Sequence, residues 1–483
     1  RAVIAIFPHS GEGKPPMHGD FEAQRHWMEI TTALPPLQWY RNSSNNDLLY
    51  WGLDYPPLTA YHSYVLGRGG HLVVPQCFEL HTSRGHESAR CRLFMRASVI
   101  LSDLIVYLPG AACAVWGFSS KQEAAKVRVL ALLTLWWLPP LLLIDHGHFQ
   151  YNGVCFGLCL AAAGCVARRR ILIGSLLFTS GLLFKQIALY FAPAFFFGIL
   201  AHCLFGPPHG GGVFCAARRV AGAGVAVIST CLLLFTPWLI APQPLPEVLQ
   251  VLHRMFPFAR GLYEDKVANV WCSISVVIKL QRLMPQRLIP PFCAATTLAA
   301  LLPANLCCLE PKRKSDQGTF AASLVASSLA FFLFAFQVHE KSILFACVAV
   351  CLLPIAVEPH QRPTWTAAAL SHFMLACLFS MYPLVVKDSL EVVYGVLCVV
   401  LFIICEACPS PTALRMAIRL SVALALAIHS IHALVPAPQR YPDLWTLMIT
   451  GYSCAYFVAI LGTLTVAQLR GAFVADIKHP KED

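Results

Sequence analysis

VRVLALLTLWWLPPLLLIDHGHFQYNGVCFGLCLAAAGCVARRR, residues 127–170, is the stretch that decides the fold. Residues 127–144 make an apolar run with one charge, Arg128, close to its start, and residues 152–167 make a second run with none. A helix crosses the hydrocarbon of a bilayer with roughly 20 predominantly apolar residues, so both runs read as spanning helices. A polar octet, Asp145–Asn152, separates them, and three arginines, Arg168–Arg170, follow. Two successive spans put these breaks on opposite faces of the membrane. Lys and Arg collect in cytoplasmic loops, so the arginines mark the cytoplasmic face and the octet marks the other.

The rest of the chain repeats this pattern. Of 483 residues, 57% are hydrophobic and 13% charged. A soluble globular protein carries about 25% charged residues, and a disordered chain is far less apolar. Both classes are excluded. The net charge of +11 fits basic cytoplasmic loops rather than nucleic acid as a partner. Further spans are expected near 94–118, 171–186, 187–205, 220–240, 288–308, 319–337, 341–357, 366–384, 389–407, 415–435 and 444–468. Ala2–Phe7 reads as the last turns of a first span that starts before residue 1, for about 14 transmembrane helices in an all-α polytopic membrane protein. Trp271–Leu280 is too short to cross and is expected to be interfacial or re-entrant.

The basic groups Lys121/Lys126/Arg128, Arg168–Arg170, Arg218-Arg219, Lys312–Lys314 and Arg415/Arg419 then fall on one side, with both termini cytoplasmic. The expected division is 1–7, the end of the first span; 8–93, a long loop with amphipathic helices; 94–240, an N-terminal membrane module; 241–287, a second loop with the interfacial segment; 288–470, a C-terminal membrane module; and 471–483, a cytosolic tail. Gly210–Gly212 lacks the Lys-Ser/Thr of a phosphate-binding loop. No internal repeat is visible.

Chemistry is expected on the side away from the basic loops, where the polar segments gather. GDFEAQRHW, residues 19–27, starts a helix at Asp20. Asp20 is either the helix cap or a general base at the membrane boundary. Glu22, Arg25 and His26 share its helix, and Arg25 with Glu29 has the spacing of an ordinary surface pair. In WGLDYPPL, residues 51–58, two prolines fix a turn from which Asp54 and Tyr55 project. They serve either as a structural corner or as a sugar-binding carboxylate and ring. Asn42-Ser43-Ser44 is a glycosylation sequon if this loop is extracytoplasmic. Cys77 and Cys91 have the means to form a disulfide under the same condition.

In DHGHFQYN, His146 and His148 lie two residues apart without a strong third ligand. That is a poor zinc pattern, and a polar rim with Gln150 for a sugar or phosphate is the better reading. In FQVHEK, residues 336–341, ionisable groups next to apolar runs are expensive and point to function. His339 and Lys341 suit a lipid phosphate, with Glu340 as a partner for Lys341. His253–Lys266 is either a solvated surface helix or a wall of the substrate groove. Asp103 and Lys185-Gln186 are either packing polar groups or rim groups.

Five segments together carry a resemblance: Gly19–Thr31, Tyr50–Ser63, Asp145–Asn152, Phe256–Cys272 and Phe336–Phe345. With them the chain resembles the dolichyl-phosphate-glucose-dependent glucosyltransferases of the endoplasmic reticulum, which have the GT-C fold. Within that family, GDFEAQRHW and WGLDYPPLTAYHS are similar to the branch adding the first glucose to the nine-mannose lipid-linked oligosaccharide. The branch adding the second glucose is the alternative.

The resemblance implies an inverting α-1,3 transfer from dolichyl phosphate glucose to a dolichyl-pyrophosphate-linked oligosaccharide. It implies a multi-pass protein of the endoplasmic reticulum membrane with a luminal active site and a cytosolic C-terminus. It places the catalytic base at Asp20 and implies that no metal or other cofactor is needed. His339 and Lys341 are then expected at the donor phosphate. Glu22, Arg25, His26, Asp54, Tyr55, His146, His148 and Gln150 are expected at substrate. A lipid or sugar transporter is the rival from another class. Against it, transporters often carry paired repeats with broken helices. A scaffold without activity would leave Asp20 unexplained.

Overall fold

The computed structural model describes residues 1–120, 122–206, 212–256, 266–275, 278–310 and 316–473. Among them the chain is helical, apart from an isolated bridge between Ser43 and Asn46. Two helices belong to the first loop: α1, Asp20–Ala33, and α2, Pro57–Val73. The membrane part follows as α3, Ala89–Phe118, α4, Ala125–Phe149, α5, Asn152–Ala167, α6, Ile171–Phe184, α7, Gln186–Phe205, and α8, Gly212–Leu234. The second loop holds α9, Pro244–Met255, and a short α10, Val270–Ile274. The C-terminal part contains α11, Gln286–Leu309, α12, Gln317–Phe334, α13, Ile343–Val350, α14, Thr366–Ser380, α15, Tyr382–Lys387, α16, Glu391–Ala407, α17, Thr412–Leu434, and α18, Leu444–Leu469.

Among the described residues, eight of these (α3, α4, α7, α8, α11, α12, α17 and α18) are long and apolar enough to cross a membrane, and α5, α6 and α14 are shorter apolar helices. The chain is therefore a polytopic helical membrane protein. The expected runs fall on these helices, with local differences. Ala2–Phe7 holds a single 3-10 turn at Ile4–Ile6. Run 341–357 is broken into α13 and a turn at Leu353–Ala356, and run 366–384 into α14 and α15. Part of 271–280 forms α10 rather than a crossing helix. Lys121, the Gly210-Gly211 pair, Lys312–Lys314 and residues 474–483 of the tail lie outside the described residues, as do residues 257–265 of the second loop.

Small residues let helices touch backbone to backbone. A Cβ on Gly110 would collide with the Gly157 carbonyl oxygen, and one on Gly117 with the Gly164 Cα. Glycines facing each other at two levels let α3 and α5 approach this closely, as small residues do in membrane helix pairs. Two irregularities sit beside this seam. In α4 the Pro139-Pro140 pair forces Leu138 out of helical geometry (ψ 100°). Farther on, α4 ends in a π-helical turn, Leu143–Phe149, opposite a second π-helical turn in α3, Asp103–Tyr107. Such widened turns often occur at functional sites.

The first loop is folded rather than solvated. Helix α1 packs along α2, and Cys77 and Cys91 form a disulfide that ties the segment after α2 to the start of α3. Helix α9 docks on the same loop. Glu247 pairs with Arg41 (2.6 Å), and Arg254 donates to the carbonyls of Gly52 (2.9 Å) and Leu53 (3.2 Å). Asn42 of the sequon is exposed.

Candidate active site

Asp20 is the first residue of α1, but it does not cap it. The cap position is Gly19, and no side chain caps this terminus. The Asp20 side chain turns instead toward three other segments. Its Oδ2 accepts from Lys341 Nζ at 2.7 Å, from His148 Nε2 at 2.9 Å, and from the Gln150 amide. All three donors converge on one oxygen. Oδ1 carries no hydrogen bond from the described residues, and the side chain is 24% exposed to a cavity. Burial pushes the Asp20 carboxyl up, but the Lys341 ammonium and the His148 imidazole outweigh it. They hold it well below the ordinary carboxylate range. The result is an ionised carboxylate with one oxygen clamped and one free.

The π-helical turn explains how DHGHFQYN serves several partners. Asp145 turns back to the start of α5, accepting from Asn152 Nδ2 and Gly153 N at 2.7 Å each. His146 faces Asp103 in the π-turn of α3 at 2.8 Å. His148 faces Asp20 through Nε2 and Asp388 through Nδ1. The residues that suggested a metal pattern therefore diverge rather than converge. Arg96 braces this turn, donating to the carbonyls of His146 and Gly147. Lys185, in the break between α6 and α7, is held by Gln150 (2.8 Å) and Asn152 (2.6 Å).

These groups face a polar chamber of about 200 Å³, walled by Asp20, Trp51, Asp54, Gln150, Lys185 and Lys341 among others. Asp54, Tyr55, Lys185, Ile187 and His339 line both this chamber and a larger groove of about 740 Å³. The groove walls are largely apolar, with Tyr190, Met255, Leu298, Phe331 and Phe336. The Trp27 and Tyr55 ring centres lie 4.8 Å apart with the planes tilted by 55°, and the Lys185 ammonium lies 5.0 Å from the Tyr55 ring centre. The turn of WGLDYPP thus presents Asp54 and Tyr55 to the cavity. Of the second-loop alternatives, α9 is a docked helix, and Met255 at its end with Phe256 beyond it contributes a wall of the groove.

The structure brings Asp20, Asp54, Tyr55, Gln150, His339 and Lys341 to the chamber, with His148 directly behind Asp20. Lys341 reaches Asp20 rather than its neighbour Glu340. Glu22, Arg25, His26 and His146 are not placed there. His146 is buried against Asp103. Glu22, Arg25 and His26 occupy the buried side of α1, where Arg25 binds Glu22 and Glu29 at 2.7 Å each and donates to the Cys77 carbonyl and Ser83. His26 also reaches Glu29, at 3.1 Å. The Arg25–Glu29 pair is thus an interior one, not a surface one. It forms because α1 is enclosed on nearly all sides.

Glu29 responds to this enclosure. Burial pushes its carboxyl up, but His26 and Arg25 win and set it at about 2. Its contribution to stability is therefore complete above the ordinary carboxylate range and is lost as pH falls toward 2. Arg25→Leu would strand two buried carboxylates, a loss of about 3–5 kcal/mol. Thermal melting of the full-length protein in detergent checks this; an unchanged melt would remove the bracing role.

The sequence reading did not single out Asp388, Asn152, Trp51 or Gln24, and it left Lys185 undecided. Asp388 carried one usable signal, a carboxylate in the short polar break between two apolar runs.

Chemically, the chamber offers a held base, cations beside it, and an apolar groove leading to it. This suits a sugar bonded through phosphate to a long lipid. Residues 1–463 match the ALG6, ALG8 glycosyltransferase family. The chain is 39% identical over 490 residues to dolichyl pyrophosphate Man9GlcNAc2 alpha-1,3-glucosyltransferase of Gallus gallus, covering 95% of this chain and 92% of that one. It is 40% identical over 464 residues to the probable enzyme of that name from Drosophila melanogaster, covering 95% and 93%. To the Mus musculus enzyme it is 38% identical over 493 residues, covering 95% and 92%.

Proposed function

Because the chain belongs to the ALG6, ALG8 glycosyltransferase family, we propose that it transfers glucose from dolichyl phosphate glucose to dolichyl-pyrophosphate-linked Man9GlcNAc2 in α-1,3 linkage. It is a glycosyltransferase; the donor and the roles of the residues are our reading. The observation that carries it is Asp20, clamped through Oδ2 and open at Oδ1, where a polar chamber meets an apolar groove.

A β-linked donor and an α-linked product require inversion at the anomeric carbon, which one displacement accomplishes. Oδ1 of Asp20 takes the proton from the mannose hydroxyl as its oxygen bonds to the anomeric carbon. The bond from that carbon to the phosphate oxygen breaks, and its electron pair leaves with dolichyl phosphate. In our reading this charge appears beside the Lys341 and Lys185 ammonium groups of the chamber wall, with the His339 ring on the same wall. Fixed cations there stabilise the transition state. They supply the positive charge that a metal would otherwise bring, so we read the reaction as metal-independent. The dolichyl chain takes the groove, and Asp54 and Tyr55 hold sugar. The reading includes a GT-C arrangement of about 14 spans, with the chamber on the lumen side of the endoplasmic reticulum.

The test is transfer by the full-length protein in detergent, with chelator present. The expected product from the nine-mannose acceptor is one hexose heavier. Transfer only to the once-glucosylated acceptor would move the chain to the second-glucose reaction. Transfer to neither would overturn the reading, and chelator-sensitive transfer would overturn its metal-independent part.

A further inference from the structure

We propose that Asp388 is a positioning residue for this reaction: it holds His148 in the doubly donating form that clamps Oδ2 of Asp20 and leaves Oδ1 for the acceptor hydroxyl. The inference rests on the transfer reading above and deepens it.

Asp388 lies just after α15, is 4% exposed, and among the described residues its side chain makes one hydrogen bond, to His148 Nδ1. A buried carboxylate is costly unless a charged or donating group meets it. The group that meets it is a ring whose other nitrogen already faces the Asp20 carboxylate. A carboxylate only accepts hydrogen bonds. With a carboxylate oxygen facing each ring nitrogen, both nitrogens are taken as donors and the ring as an imidazolium.

The charges around the ring then cancel: Asp20 and Asp388 are negative, and His148 and Lys341 are positive. Lys341 Nζ stands 3.1 Å from Nε2. Two further cations stand nearby: Lys185 is held by Gln150 and Asn152, and Arg96 is turned to the carbonyls of His146 and Gly147. Asp388→Asn removes the charge that balances the ring and replaces one acceptor oxygen with an N–H donor, so the second nitrogen faces a weaker acceptor that can also turn its amide to the ring. A ring turned over would present carbon to Asp20 and release Oδ2.

The backbone supports the same role. Asp388 N–H donates to the Leu384 carbonyl (3.2 Å) and Leu390 N–H to that of Val385 (3.0 Å), with Ser389 between them in the left-handed region (φ 57°). This tight turn also sets Leu390 against Gly147, where an added Cβ would meet Leu390 Cδ1 at 3.0 Å. The turn thus touches the His148 segment twice, once by packing and once by charge. Gly147 provides the space for the first contact.

The experiment uses the full-length protein in lipid nanodiscs as wild type, Asp388→Asn, Asp388→Glu, His148→Gln and the His148→Gln/Asp388→Asn double variant. Asp388→Asn should lower kcat by about 10²-fold and leave both KM values within about threefold. Asp388→Glu should recover part of that loss. In the His148→Gln background, Asp388→Asn should cost less than about threefold, since the two act through one contact. A raised KM with unchanged kcat, or losses that multiply in the double variant, would overturn the proposal. If Asp388→Asn melts early, Asp388→Glu with a normal melt decides it: wild-type rate refutes, and a partial loss that vanishes in the His148→Gln background supports. An inactive wild type would instead overturn the transfer reading, so the two failures are distinguishable.

Discussion

Asp20→Asn is expected to abolish measurable transfer, with kcat down by about 10²–10⁴-fold, the usual contribution of a positioned acid or base. The change is nearly isosteric. An amide oxygen can still accept from Lys341, His148 and Gln150, so the chamber keeps its shape. What disappears is the capacity of Oδ1 to take a proton. KM for both lipids should therefore stay close to wild type, the mark of an interaction made only in the transition state. Melting should separate this from unfolding, because Asp20 is partly exposed and its loss strands no deeply buried carboxylate. Wild-type activity in a folded Asp20→Asn protein would remove Asp20 from the chemistry and direct attention to Asp54, the chamber's other aspartate.

Lys341→Met is the second large effect, and it acts twice. The ammonium is 2.7 Å from Asp20 Oδ2 and borders the chamber to which our reading assigns the donor phosphate. Loss of one preorganised charge-stabilising group costs about 10²–10³-fold in kcat. The second consequence is a changed pH profile. In the wild type Asp20 sits well below the ordinary carboxylate range, with Lys341 the first of the groups opposing its burial. A base with a depressed pKa works at neutral pH and fails only as pH falls through that low value. Without Lys341, the burial that raises the carboxyl is less opposed. The acid limb of kcat/KM must then move to higher pH. Profiles of both proteins from about pH 4 to 8 measure the shift; coincident acid limbs would mean that Lys341 does not set the base.

Much of this was legible in the sequence because membrane burial writes a simple code. Apolar runs of the right length became helices, and the polar breaks DHGHFQYN and FQVHEK came together at Asp20 although they are far apart in the chain. What was not legible depended on direction. GDFEAQRHW holds four ionisable residues on one helix, and pattern alone assigns them to one site. The enclosure of α1 splits them: Asp20 meets the chamber, while Glu22, Arg25 and His26 face the interior. DHGHF gave no sign of its π-helical turn, which sends His146 and His148 to different partners. Asp388 lies in VVKDSL, which matches no motif, and its meaning comes only from the ring it meets.

The apolar groove beside the chamber has a consequence for how the protein meets its substrates. A donor whose tail lies in such a groove arrives by lateral diffusion within the bilayer, not from the aqueous phase. Its availability is then set by its mole fraction among the surrounding lipids. Expanding the host membrane at constant donor would dilute the supply, and a membrane with less bulk lipid would concentrate it. Turnover becomes a property of a two-dimensional solution, in which the composition of the membrane governs saturation as much as the affinity of the site does.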